Sequence, residues 1–232
     1  AALVDARDKL IPGLGYKHLT IAGGHGPNNV WLTIDKNVQA AVEKIMDKYK
    51  IRGAVIVSRP YSGEILALAS RPKFDANNLA AYLAGNSAAL LNRAVSAFQP
   101  GSVFKLAVAA AALEAKKVTP DELFFDPGYI DVDDVRFKGW DYEQGGRGRI
   151  SFTDALAYSS NPVFIEVAAR LGPEKLLAMA RELGFGKRTR LEFPGEQAGI
   201  LPPAASMVSA ELANFAIGQG AFEATPLQIL GL

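Results

Sequence analysis

Two short patterns in the chain hold residue types that can activate a nucleophile and move its proton. In the first, Gln99-Pro100-Gly101-Ser102-Val103-Phe104-Lys105 precedes the apolar run Leu106 to Leu113. It reads as a tight turn delivering Ser102 to the first turn of a buried helix, with Lys105 one turn further on. Residues i and i+3 share a helix face, so this spacing sets the Ser102 hydroxyl beside the Lys105 amine. A hydroxyl is a poor nucleophile until a base takes its proton, and a partly desolvated lysine with a lowered pKa is such a base. The letters alone do not make the pair. A second Ser-x-x-Lys, Ser70-Arg71-Pro72-Lys73, lies just past an expected strand, and Pro72 drives Arg71 out of the α region. Its two side chains need not meet.

The second pattern is Ser159-Ser160-Asn161, on a polar corner between two expected helices. There the Ser159 hydroxyl could relay a proton, and the Asn161 amide offers a donor and an acceptor to a peptide group. The plainer reading is an N-cap, because Asn161 stands directly before Pro162. His18 and His25 have no cysteine or carboxylate at ligand spacing, so neither a metal site nor a cofactor is expected.

The elements that must position these groups follow from periodicity and punctuation. Residues 1–28 turn glycine-rich and read as a connector or the remnant of an upstream region. Trp31 to Ile34 is expected as a short strand, with Asp35 capping the next helix. In that helix Val38, Ala41, Val42, Ile45, Met46 and Tyr49 form one apolar stripe. Strands are expected at 54–58 and 64–70 around the turn Pro60 to Gly63, central in a sheet with helices on at least one side. A short helix is expected near 79–83 and the buried helix from Ser102 to about Lys116. Thr119-Pro120-Asp121-Glu122 has the form of a capping box and predicts another helix start. Phe125 to Gly148 reads as an irregular excursion with a small hairpin. Helices follow at 151–158, from Asn161-Pro162 to Leu171, from Pro173 to Gly184, and over 206–217. Helix, hairpin, then a long helical stretch is an α+β arrangement.

Composition narrows the classes of function. The 232 residues are 49% hydrophobic and 21% charged, as in ordinary globular proteins, and suffice for a substantial core. A net charge of +1 gives no reason to expect nucleic acid as a partner, and the absence of cysteine removes thiolate catalysis and disulfides.

Taken together and in this order, Ser102-x-x-Lys105 and Ser159-x-Asn161 resemble the active-site set of penicillin-binding proteins and serine β-lactamases. Leu32-Thr33-Ile34-Asp35 with Gln39, Gly63 to Ala67, and Asn92-Arg93 are similar to the transpeptidase domain of class B penicillin-binding proteins. So are Gly184-Phe185-Gly186, Phe193-Pro194-Gly195-Glu196 with Gly199, and Gly218-Gln219-Gly220 with Thr225 to Gln228. The resemblance covers roughly residues 29–232 and leans toward the division and sporulation types. It implies the β-lactamase/transpeptidase-like α+β fold, an antiparallel sheet flanked by helices. It further implies a D,D-transpeptidase that cross-links peptidoglycan stem peptides and is acylated by β-lactams.

In that family pattern Ser102 is the nucleophile, Lys105 its general base, Ser159 a proton relay and Asn161 a substrate ligand. The Ser102 backbone N–H supplies half of an oxyanion hole. No carboxylate matches the deacylating group of class A β-lactamases, which disfavours a hydrolytic β-lactamase. A β-lactam-sensing receptor domain and an inactive division scaffold remain as alternatives. The resemblance also implies the extracytoplasmic face of a bacterial membrane, through an anchor outside this chain, and cell-wall synthesis or division proteins as partners. No Lys-Thr-Gly or Lys-Ser-Gly occurs in the chain. The expectation is a domain incomplete at its C-terminus, lacking that motif and the last strands of its sheet.

Overall fold

A computed structural model describes residues 31–84, 88–189, 191 and 194–232. The expected 1–28 connector, its boundary and both histidines lie outside these residues. Ile34–Leu232 forms a compact unit. Among the described residues no helix is long and apolar enough to cross a membrane.

Helix α1 (Lys36–Lys48) starts where expected, with Asp35 Oδ1 accepting from the N–H groups of Asn37 (2.8 Å) and Val38 (3.1 Å). The stretch before it, expected as a strand, takes no regular structure. Trp31 and Leu32 are 92% and 74% exposed, so their apolar side chains gain no burial that would hold the expected strand. Strands β1 (Gly53–Ser58) and β2 (Ile65–Arg71) pair antiparallel, from Gly53 opposite Arg71 to Ser58 opposite Ile65. No third strand joins them among the described residues. α1 lies along β2, and Gln39 fixes the contact: its amide donates to Leu68 O (3.2 Å) and accepts from Leu68 N–H (2.8 Å). β2 buries Ile65, Ala67, Ala69 and Arg71 on one face, and Arg71 is neutralised there by Asp47 (2.7 Å).

The short helix α2 (Leu79–Ala84) follows close to where it is expected, and the main core surrounds α3 (Lys105–Glu114), whose Ala107, Val108, Ala111 and Ala112 are buried. Small residues let α5 (Asn161–Leu171) and α6 (Pro173–Glu182) approach closely, and Phe164, Val167, Ala168, Leu176 and Leu177 complete the packing. Leu106 and Leu113 are about half exposed, so the apolar run is buried on one side only. Between α3 and α5 come β3 (Leu123–Asp126), the hairpin β4 (Tyr129–Val132) and β5 (Val135–Lys138), then β6 (Gly148–Ser151). β6 returns antiparallel to β3 and leads into α4 (Phe152–Ala157). The expected irregular excursion is therefore a hairpin held between two paired strands.

The capping-box pattern at Thr119 starts no helix. Glu122 N–H closes a turn on Thr119 O (3.1 Å), while Pro120 O and Glu122 O accept from Thr153 (3.1 Å) and Phe152 (2.9 Å). Those carbonyls are committed to holding the α4 entry, and the chain runs on as β3. α7 (Ser209–Ala216) begins three residues later than expected, after a short 3₁₀ turn at 204–206. α8 (Pro226–Gly231) opens with a reciprocal Thr225–Gln228 capping box and lies beside β1.

Candidate active site

The Ser102 turn is fixed from outside by a segment more than a hundred residues away. Gly101, at φ +66°, donates its N–H to Gly218 O (2.8 Å). A Cβ at Gly218 would lie 2.1 Å from Gly101 O, so only glycine allows this approach. Gln99 Nε2 donates to Gly220 O (2.7 Å), and Phe98 and Ala224 exchange backbone hydrogen bonds of 2.9 and 2.8 Å. Behind the turn, Phe104 is fully buried, its ring 4.6 to 5.6 Å from those of Phe222, Phe215 and Phe185. Such aromatic contacts leave the turn little freedom to shift.

Ser102 occupies a 3₁₀ turn, Gly101–Phe104, that runs directly into α3. The sequence predicts a first α turn. The 3₁₀ geometry brings i and i+3 still closer to eclipse, so Ser102 and Lys105 share an edge. Ser102 is exposed, and its N–H lies ahead of the intrahelical ladder. Its hydroxyl makes no hydrogen bond among the described residues. In the second Ser-x-x-Lys the two side chains turn to different partners: Ser70 Oγ donates to Leu91 O (3.1 Å) and Lys73 Nζ to Asp47 (2.8 Å).

Lys105 is the centre of the arrangement, with 1% of its surface exposed. Its Nζ donates to Ser159 O (2.6 Å), Asn161 Oδ1 (2.6 Å) and Ser159 Oγ (3.1 Å), and sits 5.7 Å from the centre of the Phe164 ring. Three donors meeting three acceptors is the bonding of an ammonium. Burial lowers its pKa from 10.5 to about 8, while the carboxylate of buried Asp126 pulls the other way. On losing a proton, the amine can keep its two short bonds and turn its lone pair toward a hydroxyl.

The corner that supplies these acceptors is the C-terminal cap of α4. Ser160 N–H bonds Ala155 O (2.9 Å) and Ser159 N–H bonds Leu156 O (3.1 Å), the pair of bonds that defines a Schellman motif. Ser159 holds the left-handed position, φ +57°, where glycine is the usual occupant. The reversal aims both its carbonyl and its hydroxyl at Lys105. Ser160, not Asn161, caps α5, accepting from Val163 N–H (3.3 Å). Asn161 is thereby free of the capping role that its place before Pro162 suggested. It stands as the first helical residue, with Nδ2 donating to Lys138 O (2.7 Å) and Oδ1 turned to Lys105.

The structure thus brings Lys105, Ser159 and Asn161 into direct contact and sets Ser102 one turn away on the same edge. Two contributors had no signal in the sequence. Lys138 acts through its main-chain carbonyl, and Asp126 is a buried carboxylate whose Oδ1 accepts from Gly128 N–H (2.7 Å). Among the described residues no group of histidines and carboxylates is placed to hold a metal ion.

Residues 53–232 match the penicillin-binding protein transpeptidase domain family. Stage V sporulation protein D of Bacillus subtilis is 37% identical over 206 residues, covering 85% of this chain and 31% of that protein. The peptidoglycan D,D-transpeptidase MrdA of Escherichia coli is 29% identical over 244 residues, 97% of this chain and 37% of its own length. The chain therefore spans about a third of the length of these curated relatives. Among solved structures, the ceftriaxone acyl-enzyme complex of penicillin-binding protein A from Mycobacterium tuberculosis aligns with a TM-score of 0.76 at 30% identity. That alignment covers 85% of this chain and 48% of that one. With this family match over most of its length, and the Ser102, Lys105, Ser159 and Asn161 pattern at its centre, the chain belongs to the penicillin-binding protein transpeptidase domain family.

Proposed function

We propose that the protein carrying this domain is a serine D,D-transpeptidase that cross-links peptidoglycan stem peptides and is acylated by β-lactams. The observation that carries the reading is the bonding of Lys105. A buried lysine whose pKa has fallen to about 8 is held by residues 54 and 56 positions away, within hydrogen-bond reach of a second hydroxyl. Such a group is a base poised near working pH, which an ordinary structural lysine is not.

Ser102 Oγ attacks the carbonyl carbon of the penultimate D-Ala as its proton passes to neutral Lys105 Nζ. The oxyanion is met by the Ser102 N–H at the start of the helical run. When the tetrahedral intermediate collapses, the C–N bond breaks and the proton returns through Ser159 Oγ to the departing D-Ala amine. Asn161 holds the peptide on the acyl side. An acceptor amine then attacks the Ser102 ester and loses its proton to Lys105, which passes it to the Ser102 oxygen as the ester bond breaks and the new amide forms. The relatives' names and the acyl-enzyme complex support the substrate and the covalent intermediate. Since peptidoglycan lies outside the cell membrane, the domain works on the extracytoplasmic face.

The test is fluorescent penicillin labelling of the full-length protein beside Ser102→Ala. Labelling is expected in the first and lost in the second; labelling that survives the substitution overturns the nucleophile. Cross-linking of a stem-peptide donor to an acceptor amine then distinguishes the enzyme from a receptor that is acylated without turnover.

A further inference from the structure

The hairpin region between β3 and β6 holds a cluster that the mechanism does not use. Arg147 stacks its guanidinium on Trp140 (4.6 Å to the ring centre) and on Tyr158 (4.7 Å), and its Nε pairs with the buried carboxylate of Asp141 (2.6 Å). Trp140 Nε1 donates to Tyr158 O (2.8 Å). Tyr158 is the residue before Ser159, and this contact bears directly on the strained corner. Tyr158 C=O and Ser159 N–H are the two ends of one peptide plane. Trp140 holds the carbonyl end of this plane and Leu156 O its N–H end (3.1 Å), while Ser160 N–H to Ala155 O (2.9 Å) holds the next plane, and φ of Ser159 is the rotation set between the two. A non-glycine residue in the left-handed region persists only where its surroundings over-determine it.

The cluster is itself anchored. Gly139 N–H bonds Gly128 O (2.7 Å), Arg147 N–H bonds Asp126 O (3.0 Å), and a Cβ at Gly146 would lie 2.1 Å from Gly128 N. The segment is thus nested on the Asp126–Gly128 turn. It leaves the same small sheet that starts α4 and closes on the residue that ends α4. On the other side of the corner, Lys138 O, two residues before Trp140, takes the Asn161 amide (2.7 Å). One hairpin therefore sets both partners of Lys105.

We propose that Trp140 and Arg147 are positioning residues for acyl transfer: they clamp the Tyr158–Ser159 peptide so that the carbonyl and hydroxyl of Ser159 face Lys105. This rests on the transpeptidase reading above. Trp140 is 66% exposed, so a wall of the substrate cleft is the rival role, and the two separate kinetically. A clamp acts on the acylation step, a wall on the prior binding step.

The experiment measures the acylation constant k2 and the binding constant Ks of the full-length protein with a fluorescent penicillin. Trp140→Phe keeps a ring for Arg147 to stack on and removes the indole N–H; Arg147→Met keeps a long side chain and removes the planar cation. Loss of one hydrogen bond at the corner is expected to lower k2 about fivefold for Trp140→Phe with Ks held within about twofold. Arg147→Met is expected to slow k2 similarly, and the double substitution to fall short of the product of the two, because both act on one peptide plane. Because k2 is a rate per acylatable molecule, a misfolded fraction does not imitate the effect. Unchanged k2 in both variants overturns the clamp, as does a change confined to Ks. If Ser102→Ala still labels, the transpeptidase reading fails; if it is inert while Trp140→Phe acylates normally, only the clamp fails.

Discussion

Lys105 gives the prediction with the most consequence, because its ionisation links the buried geometry to the rate. At its ordinary pKa of 10.5 about three amines in ten thousand would be neutral at pH 7, whereas at about 8 roughly one in eleven is. The structure thus raises the supply of free base about three-hundredfold, on the order of 3 kcal/mol of differential stabilisation. Penicillin acylation by the full-length protein should therefore climb about tenfold per pH unit below the bend and level off near pH 8. Desolvation sets this shift and Asp126 opposes it, so the sign for Asp126→Asn is fixed. Removing that carboxylate disfavours the ammonium further, moves the bend to lower pH and raises the rate at pH 7. The Gly128 N–H to Oδ1 bond can survive in the asparagine, which limits the damage to the turn. Stopped-flow acylation between pH 5.5 and 9.5 on both proteins is the assay. A wild-type bend near 10, or an Asp126→Asn bend that stays put or rises, refutes the electrostatic account of the base.

Two further predictions test the backbone devices around the site. Ser159→Ala and Ser159→Gly both delete the hydroxyl, but only glycine relieves the left-handed strain. Ser159→Gly should be more stable than Ser159→Ala by about 1 kcal/mol, some 2–4 °C in melting temperature, with both slow to acylate. Equal melting, or a more stable alanine variant, removes the strain argument. Gly218→Ala should cost more than about 2 kcal/mol and lower acylation, since its methyl meets the Gly101 carbonyl in a positive-φ backbone. A wild-type melting curve for Gly218→Ala would show that the Ser102 turn is not locked there.

What was legible in the sequence was local. The Ser102–Lys105 spacing, the Asp35 cap, the β1–β2 hairpin and the break between Leu171 and Pro173 each depend on neighbours within a few residues. What misled had the same local signal but lost to a distant partner. Thr119 to Glu122 has helix-start chemistry, yet its carbonyls go to Phe152 and Thr153 and its glutamate pairs with Arg170. The site shows the same division. Ser159 and Asn161 could be singled out by type, but not the left-handed φ that turns one toward Lys105, nor Ser160 taking the cap. Lys138 was invisible because a main-chain carbonyl carries no residue identity. Trp140 and Arg147 looked like excursion residues because their common target, Tyr158, lies 18 residues from Trp140.

Two departures from the locally best residue converge on the same few atoms. A helix cap with glycine at position 159 and an apolar side chain at 105 would satisfy the fold with less strain and less desolvation. Serine at the first and lysine at the second each cost stability, and Lys105 Nζ is bonded to Ser159 twice. The linkage sign makes the second cost measurable. The unfolded chain binds the Lys105 proton more tightly than the folded one, so this group's contribution to stability rises with pH across the window from about 8 to 10.5. At neutral pH the fold carries the buried ammonium at a disadvantage, held by Ser159, Asn161 and the hairpin that orients them. A packed core with no chemistry to perform has no reason to retain either residue, and strain of this kind is kept where a reaction uses it.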